Sequence, residues 1–253
     1  MTGAGCSTDS GIPDYRDEAG AWKRPEPIRY AEFVRSDAAR RRYWARSMVG
    51  WPRMAEARPS GAHHALKALG EDGRIHLLVT QNVDGLHQRA GSTDVLDLHG
   101  RIADVVCLDC DDRIPRAAYQ HQLAEANPGW SPGEAGTAPD GDADLTVDTS
   151  RFEVPGCATC GGMLKPDVVF FGESVPRLRV ERAYAAVEDC DALLVVGSSL
   201  MVFSGLRFVR AATKQGVPVA ILNRGRTRAD DDAQLKVDAD CGEALLRVHA
   251  ALA

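Results

Sequence analysis

Apolar residues recur along this chain in short dense runs, separated by stretches of helical periodicity. Ile75-His76-Leu77-Leu78-Val79, Ala192-Leu193-Leu194-Val195-Val196 and Val217-Pro218-Val219-Ala220-Ile221-Leu222 are near-continuous. Runs of this kind predict strands buried on both faces of a parallel sheet. Around them, residues 62–69 predict a helix with Ser60 as N-cap and Gly70 as stop. Residues 176–190, 203–215 and 241–251 predict three more, the second closed by Gly216. Such alternation implies α/β architecture with right-handed crossovers. Residues 14–61 differ. Pro25, Pro27, Pro52 and Pro59 punctuate them, and only 30–49 has helical character. We place this segment as a helical excursion over the sheet, with Trp22, Tyr30, Phe33, Tyr43, Trp44 and Trp51 as core. Residues 168–171 form a short apolar run bracketed by Pro166 and Gly172. They read either as a core strand or as an edge that accepts a peptide.

Polar residues gather where the strands end, which is where open α/β sheets bind ligands. Gln81, Asn82 and Asp84 follow the first run, and the segment Val95-Leu96-Asp97-Leu98 delivers His99 and Gly100. Two amides, a carboxylate and an imidazole converging on one cleft would suit binding a polar ring and a ribose, then moving a proton. The plainer reading makes Asp84 a helix cap and His99 a solvated side chain. The other strands end in Gly197-Ser198-Ser199 and Asn223, small groups suited to phosphate and ribose hydroxyls. Gly3, Ala4 and Gly5 would let backbone N–H groups approach a pyrophosphate. A dinucleotide fingerprint also needs a strand just before its glycines. Met1 stands only two positions upstream, so the expectation is that the first strand is missing and the natural product begins earlier.

Four of the seven cysteines form two Cys-x-x-Cys pairs, Cys107/Cys110 and Cys157/Cys160. Two such pairs complete a four-thiolate shell around one zinc, closed and therefore structural. The alternative is two unrelated thiol pairs. The spacer between them is long, and residues 127–150, rich in Gly, Pro, Asp and Ala, read as a flexible surface insertion.

Composition narrows the class. The chain has 253 residues, 44% hydrophobic, with a net charge of -6. That fits one α/β domain carrying an inserted module, and it offers no basic footprint for nucleic acid. The basic stretch 35–46 reads as a solvated helix face with Tyr43 and Trp44 turned inward. No apolar run approaches the ~20 residues of a membrane span. A cytoplasmic protein, working as a monomer, is the expectation.

Together, Gly3-Ala4-Gly5 with Ser10-Gly11-Ile12-Pro13-Asp14-Tyr15-Arg16, then Thr80-Gln81-Asn82-Val83-Asp84, His99-Gly100, the two cysteine pairs and Gly197-Ser198-Ser199 resemble the sirtuins. These are NAD-dependent protein-lysine deacylases. Several stretches, among them LKPDVVFFGE and SSLMVFSGLRF, look closer to the class II branch that includes lipoamidase and ADP-ribosyltransferase activities.

The resemblance implies a Rossmann-like NAD-binding domain from 1–16, 60–104 and 167–253. It implies a smaller domain built from a helical part, 17–59, and a zinc module, 105–166. It implies that residues 3–16, including Thr8, Ile12, Asp14, Tyr15 and Arg16, hold the pyrophosphate and close over the nicotinamide riboside. Asn82 and Asp84 would take the nicotinamide, Gln81 its ribose, and His99 would be the general base. Gly197, Ser198, Ser199, Asn223 and Cys241 would hold the adenosine half. Val169, Phe171 and Val202 would line an acyl-lysine tunnel, the protein substrate pairing between Gly172 and Ser204-Gly205. ADP-ribosyl transfer to protein and a non-catalytic NAD sensor are the competing readings. The Tyr/Arg pair that marks desuccinylating relatives is not clearly present after Arg16, where Trp22-Lys23-Arg24 stands.

Overall fold

The structure is a computed structural model describing residues 1–23, 27–130 and 148–252. Most of the expected surface insertion, 131–147, lies outside the described residues. The chain starts with two 3-10 turns, Ala4–Cys6 and Thr8–Ser10, then α1 (Tyr30–Arg35), α2 (Asp37–Glu56) and α3 (Gly61–Glu71). Next come β1 (Leu78–Thr80), α4 (Leu86–Ala90), β2 (Val95–Asp97), β3 (Gly100–Cys107), β4 (Arg113–Pro115), α5 (Arg116–Ala126) and β5 (Leu164–Val168). The last third alternates: α6 (Arg177–Asp189), β6 (Leu193–Val196), α7 (Phe203–Gln215), β7 (Val219–Leu222), β8 (Leu235–Val237) and α8 (Cys241–Leu252).

Six positions make the main sheet, all parallel. β1 pairs with β2, β6 with β7, and β7 with β8. Thr2 bridges Thr80 of β1 and Val196 of β6, so the order is β2-β1-Thr2-β6-β7-β8. The place expected for a first strand is held by this one residue. From it the chain path diverges to either side, which makes its carboxyl end the switch-point crevice of an α/β sheet.

Each sheet face is covered. On one, Val79, Leu98, Val195 and Ile221 pack under α6 and α7 through Ala183, Val187, Leu206 and Val209. On the other, Leu78, Val196 and Leu222 meet α3 and α8 through Ala62, Leu66, Leu69 and Leu245. Burial on both sides is why these strands carry no polar alternation.

A second core lies apart from the sheet. Phe33 of α1 and Tyr43 and Trp44 of α2 pack against Val105, Cys107, Tyr119, Phe152, Leu164 and Phe170. The helical excursion and the cysteine module therefore share one interior. Its frame is an antiparallel sheet, β4-β3-β5, which no pattern in the sequence announced.

Three expectations need correction. The helix over 30–49 is broken at Ser36, whose backbone is extended and whose side chain accepts the Ala39 N–H at 3.2 Å, capping α2. The run 168–171 is not a strand of its own: Val168 is the last residue of β5, and 169–171 lie beyond it. The Glu173 carboxylate takes the Phe170 N–H at 2.8 Å and Lys165 Nζ at 3.1 Å, curling the segment away. Phe171 keeps one parallel bridge, to Arg29. Finally, Trp22 is not core. It lines the cleft described next.

Candidate active site

The carboxyl ends of the parallel strands open into a cleft of about 1030 Å³. One wall is a backbone contact between two glycine turns. Gly5 N–H donates to Gly197 O at 2.8 Å, and Gly3 N–H to Val196 O at 3.0 Å. A Cβ on Gly197 would stand 2.5 Å from the Cys6 nitrogen, and one on Gly3 would stand 2.7 Å from Ser198 Cβ. Gly197 also sits at φ +61, where side chains are strained. Only glycines bring these backbones together, and the small-residue cradle left beside them is open to an anionic ligand.

Above it, residues 14–23 fold over as a narrow hairpin. Arg16 and Trp22 bridge, with the guanidinium 3.9 Å from the indole centroid. Trp22 in turn packs edge-on to Phe171 at 5.7 Å. Arg226 N–H donates to Glu18 O at 2.9 Å, tying the hairpin to the far rim.

On the other wall, Asn82 Nδ2 donates to Gly3 O and Ser7 Oγ, both at 3.0 Å. Gln81 Nε2 donates to Ser198 Oγ at 2.8 Å. Both amides thus brace the loop that they face.

His99 is set by its neighbours on every side. Nδ1 lies 3.0 Å from Gln81 O. A carbonyl only accepts, so Nδ1 carries the proton and the Nε2 lone pair is free to accept. Ser204 Oγ, at 2.8 Å, donates to it. Behind the ring, the backbone carbonyl of His99 accepts Val169 N–H at 2.8 Å. A Cβ on Gly100 would sit 2.0 Å from Asp167 O, so only glycine follows the histidine here. Burial pushes the His99 pKa down to about 4, against the Gln81 bond that raises it; Arg179 and Arg207 lower it further. The imidazole is neutral at pH 7, as an acceptor must be.

Nineteen of the residues singled out from sequence line this cleft together. They are Gly3, Ala4, Gly5, Thr8, Asp14, Tyr15, Arg16, Gln81, Asn82, His99, Gly197, Ser198, Ser199, Asn223 and Cys241, with Val169, Phe171, Gly172 and Val202 at one end. Two do not reach it. Ile12 is buried with Met54, Leu86 and Ile102 behind the wall. Asp84 accepts Ser7 Oγ at 2.7 Å and the Leu86 N–H at 2.8 Å, so it caps α4 and anchors the loop from behind. Trp22 and Arg207 were not singled out as functional. Ser204 was expected only beside the protein substrate, and its bond to His99 had no signal in the sequence.

The cysteine pairs meet at the tip of the second lobe. Cys107 Sγ and Cys160 Sγ are 3.6 Å apart, Cys110 Sγ and Cys157 Sγ 3.7 Å, and all four lie within 4.8 Å of one another. Tetrahedral zinc with Zn–S bonds of ~2.3 Å separates its sulfurs by about 3.8 Å. The donor set fits one structural zinc, with no position left for a substrate.

The sequence profile of the Sir2 family matches residues 3–204. The chain belongs to the Sir2 family. A Bordetella bronchiseptica protein named NAD-dependent protein deacetylase is 61% identical to this Sir2 chain over 249 residues, 98% of this chain and 91% of that one. The mitochondrial lipoamidase sirtuin-4 of Bos taurus is 51% identical, over 97% of this chain and 79% of its own. Among solved structures, the complex of Sir2 with a p53 peptide and NAD+ superposes with a TM-score of 0.81 at 30% identity, covering 99% of this chain and 90% of that one. Among the described residues, no helix of this Sir2 protein is long and apolar enough to cross a membrane.

Proposed function

We propose that this protein is an NAD-dependent protein-lysine deacylase that releases nicotinamide, free lysine and O-acyl-ADP-ribose. One observation carries the reading: His99 presents a neutral Nε2 lone pair to the cleft, its tautomer fixed by the Gln81 carbonyl. A protein that only sensed NAD would need no base there. The glycine cradle and the two strand-end amides complete a dinucleotide-sized cleft, and the relatives named above point the same way.

The division of labour follows from position. Residues 3–16, with Gly197, Ser198 and Ser199, hold the pyrophosphate by backbone N–H groups. Asn223 and Cys241, at the β7 and α8 end, take the adenosine. Asn82 and Gln81 face the nicotinamide riboside, and Asp84 keeps Ser7 and that wall in register. Ile12 backs them. Val169, Phe171 and Val202 form the apolar passage for the acylated lysine, and Gly172 borders its entry. When bound, NAD supplies an activated ribose carbon, from which nicotinamide leaves as a neutral ring while the acyl oxygen takes its place. The passage holds that weak nucleophile in line and excludes water. Nε2 of His99 then exchanges its Ser204 hydroxyl for a ribose hydroxyl and accepts its proton. That hydroxyl oxygen attacks the acyl carbon, the lysine leaves as the free amine, and one water supplies the oxygen that completes O-acyl-ADP-ribose. The cysteine module, with its zinc, braces the second lobe and takes no part in the chemistry.

Mass spectrometry of products from NAD and a panel of acetyl, lipoyl, longer acyl and dicarboxyl lysine peptides tests the proposal. The expected product is O-acyl-ADP-ribose with one free lysine per nicotinamide released. His99→Ala should lower the rate about 10²- to 10⁴-fold. ADP-ribosylated protein with no deacylated peptide would make the chain a transferase to protein instead.

A further inference from the structure

Beside His99 the cleft extends into an arm between α6 and α7. Arg177, Val180, Glu181 and Tyr184 line one side, Phe203 and Arg207 the other. Phe203 stands 53% exposed at its mouth. None of these side chains has a role in the scheme above.

The charges around this arm leave one remainder. Glu181 takes Arg177 at 2.5 Å, and Glu173 takes the buried Lys165 at 3.1 Å. Asp167 is shared by Arg113 and Arg179. Among the described residues, no carboxylate forms an ion pair with Arg207. Its Nε is sealed from solvent and makes no hydrogen bond. The Phe203 ring lies over it, with the centroid 5.3 Å from Cζ.

Its place makes this notable. Arg207 follows Ser204 by one turn of α7, and Ser204 touches Nε2 of His99. A cation there opposes proton uptake by the base, and Arg207 is among the groups that hold the His99 pKa low. A substrate bringing its own negative charge would satisfy the guanidinium and relieve the base in one step. Guanidinium suits this task because its planar fork matches a carboxylate.

We propose that Arg207 is the subsite for a carboxylate carried by the acylated substrate. The assignment rests on the deacylase reading and names a feature of its substrate. The carboxylate has two possible bearers: the far end of a dicarboxylic acyl chain, or an acidic side chain beside the acylated lysine. The arm is continuous with the cleft at His99, so it is open to both.

Two matched peptide pairs separate them. The first compares glutaryl-lysine with pentanoyl-lysine in a neutral peptide. The second compares acetyl-lysine flanked by glutamate with the same peptide flanked by glutamine. Each is run with the wild type, Arg207→Met and Arg207→Lys. The expected result is a preference of about tenfold or more for the charged member of one pair, expressed in KM. Arg207→Met should erase it and Arg207→Lys keep part of it. The pair showing the preference names the bearer. Ratios near one in both pairs, or a preference untouched by Arg207→Met, would overturn the subsite. If no peptide is turned over, fluorescence anisotropy of the same peptides in the presence of NAD makes the same comparison. The deacylase reading and the subsite therefore fail separately.

Discussion

Lowering the pH from 7.5 to 5 should destabilise this protein through two histidines outside the cleft. His63 of α3 and His87 of α4 are 0% and 1% exposed, with ring centroids 4.6 Å apart. Ser60 N–H donates to His63 Nδ1 at 3.1 Å, so the proton of that ring sits on Nε2, which has no partner. His87 Nε2 meets Thr2 Oγ1 at 2.9 Å, and its Nδ1 has no partner either. Neither ring has a place for a second proton. Burial, chiefly, pushes the pKa of His63 from 6.5 to about 4 and that of His87 to about 3. For His63 the nearby Asp84 charge works in the opposite direction, and for His87 the His63 ring adds to the fall. Both folded values lie below the unfolded value, so the unfolded chain binds more protons as the pH drops. Stability is therefore full above pH 6.5 and is lost as pH falls from there towards 4 and 3. At pH 5 the two rings together cost about 4 kcal/mol relative to pH 7.5, a large part of an ordinary domain's stability. Urea unfolding at several pH values measures the slope. His63→Gln and His87→Gln should each remove about 2 kcal/mol of the loss between pH 7.5 and 5. If the loss is unchanged in both variants, or if NMR titration puts either ring near 6.5, the argument from burial is wrong.

Three further outcomes follow from the geometry. Glu173→Ala leaves Lys165, 3% exposed, without its carboxylate; the loss should be about 3 to 5 kcal/mol in urea melts, with Glu173→Gln milder. Gly197→Ala drives a Cβ to 2.5 Å from the Cys6 nitrogen, so NAD affinity measured by calorimetry should fall about tenfold or more. Removing the metal with a chelator, or Cys110→Ser, should unfold the β3-β4-β5 lobe, lower the melting temperature and abolish activity indirectly; full activity with no metal bound would refute a structural zinc.

Much of the fold could be read from local pattern. The apolar runs at β6 and β7, and the helix Phe203–Gln215 closed by Gly216, are where expected because one residue type per position satisfies both propensity and burial. The strand-end polar residues could be placed at one edge of a parallel sheet for the same reason, since topology alone sends every carboxyl end there. The cysteine pairs declare their ion by spacing.

What the tertiary structure decided is everything that depends on partners distant in sequence. β3, β4 and β5 pair through registers, such as Val105 with Ile114 and Pro166, that no local period encodes. Residues 168–171 look like a strand until Lys165 and Glu173 are seen to curl them. Trp22 has the composition of a core residue, yet Arg16 and Phe171 hold it over the cleft. Asp84 has the chemistry of a cleft residue, yet Ser7 and Leu86 occupy both its oxygens. The His99 tautomer depends on a carbonyl eighteen residues away, and the unpaired charge of Arg207 on which carboxylates other cations have already taken. Sequence determines what each side chain is able to do. Which hydrogen bond or ion pair it makes is a competition among all the groups within reach, and only the folded chain defines that set.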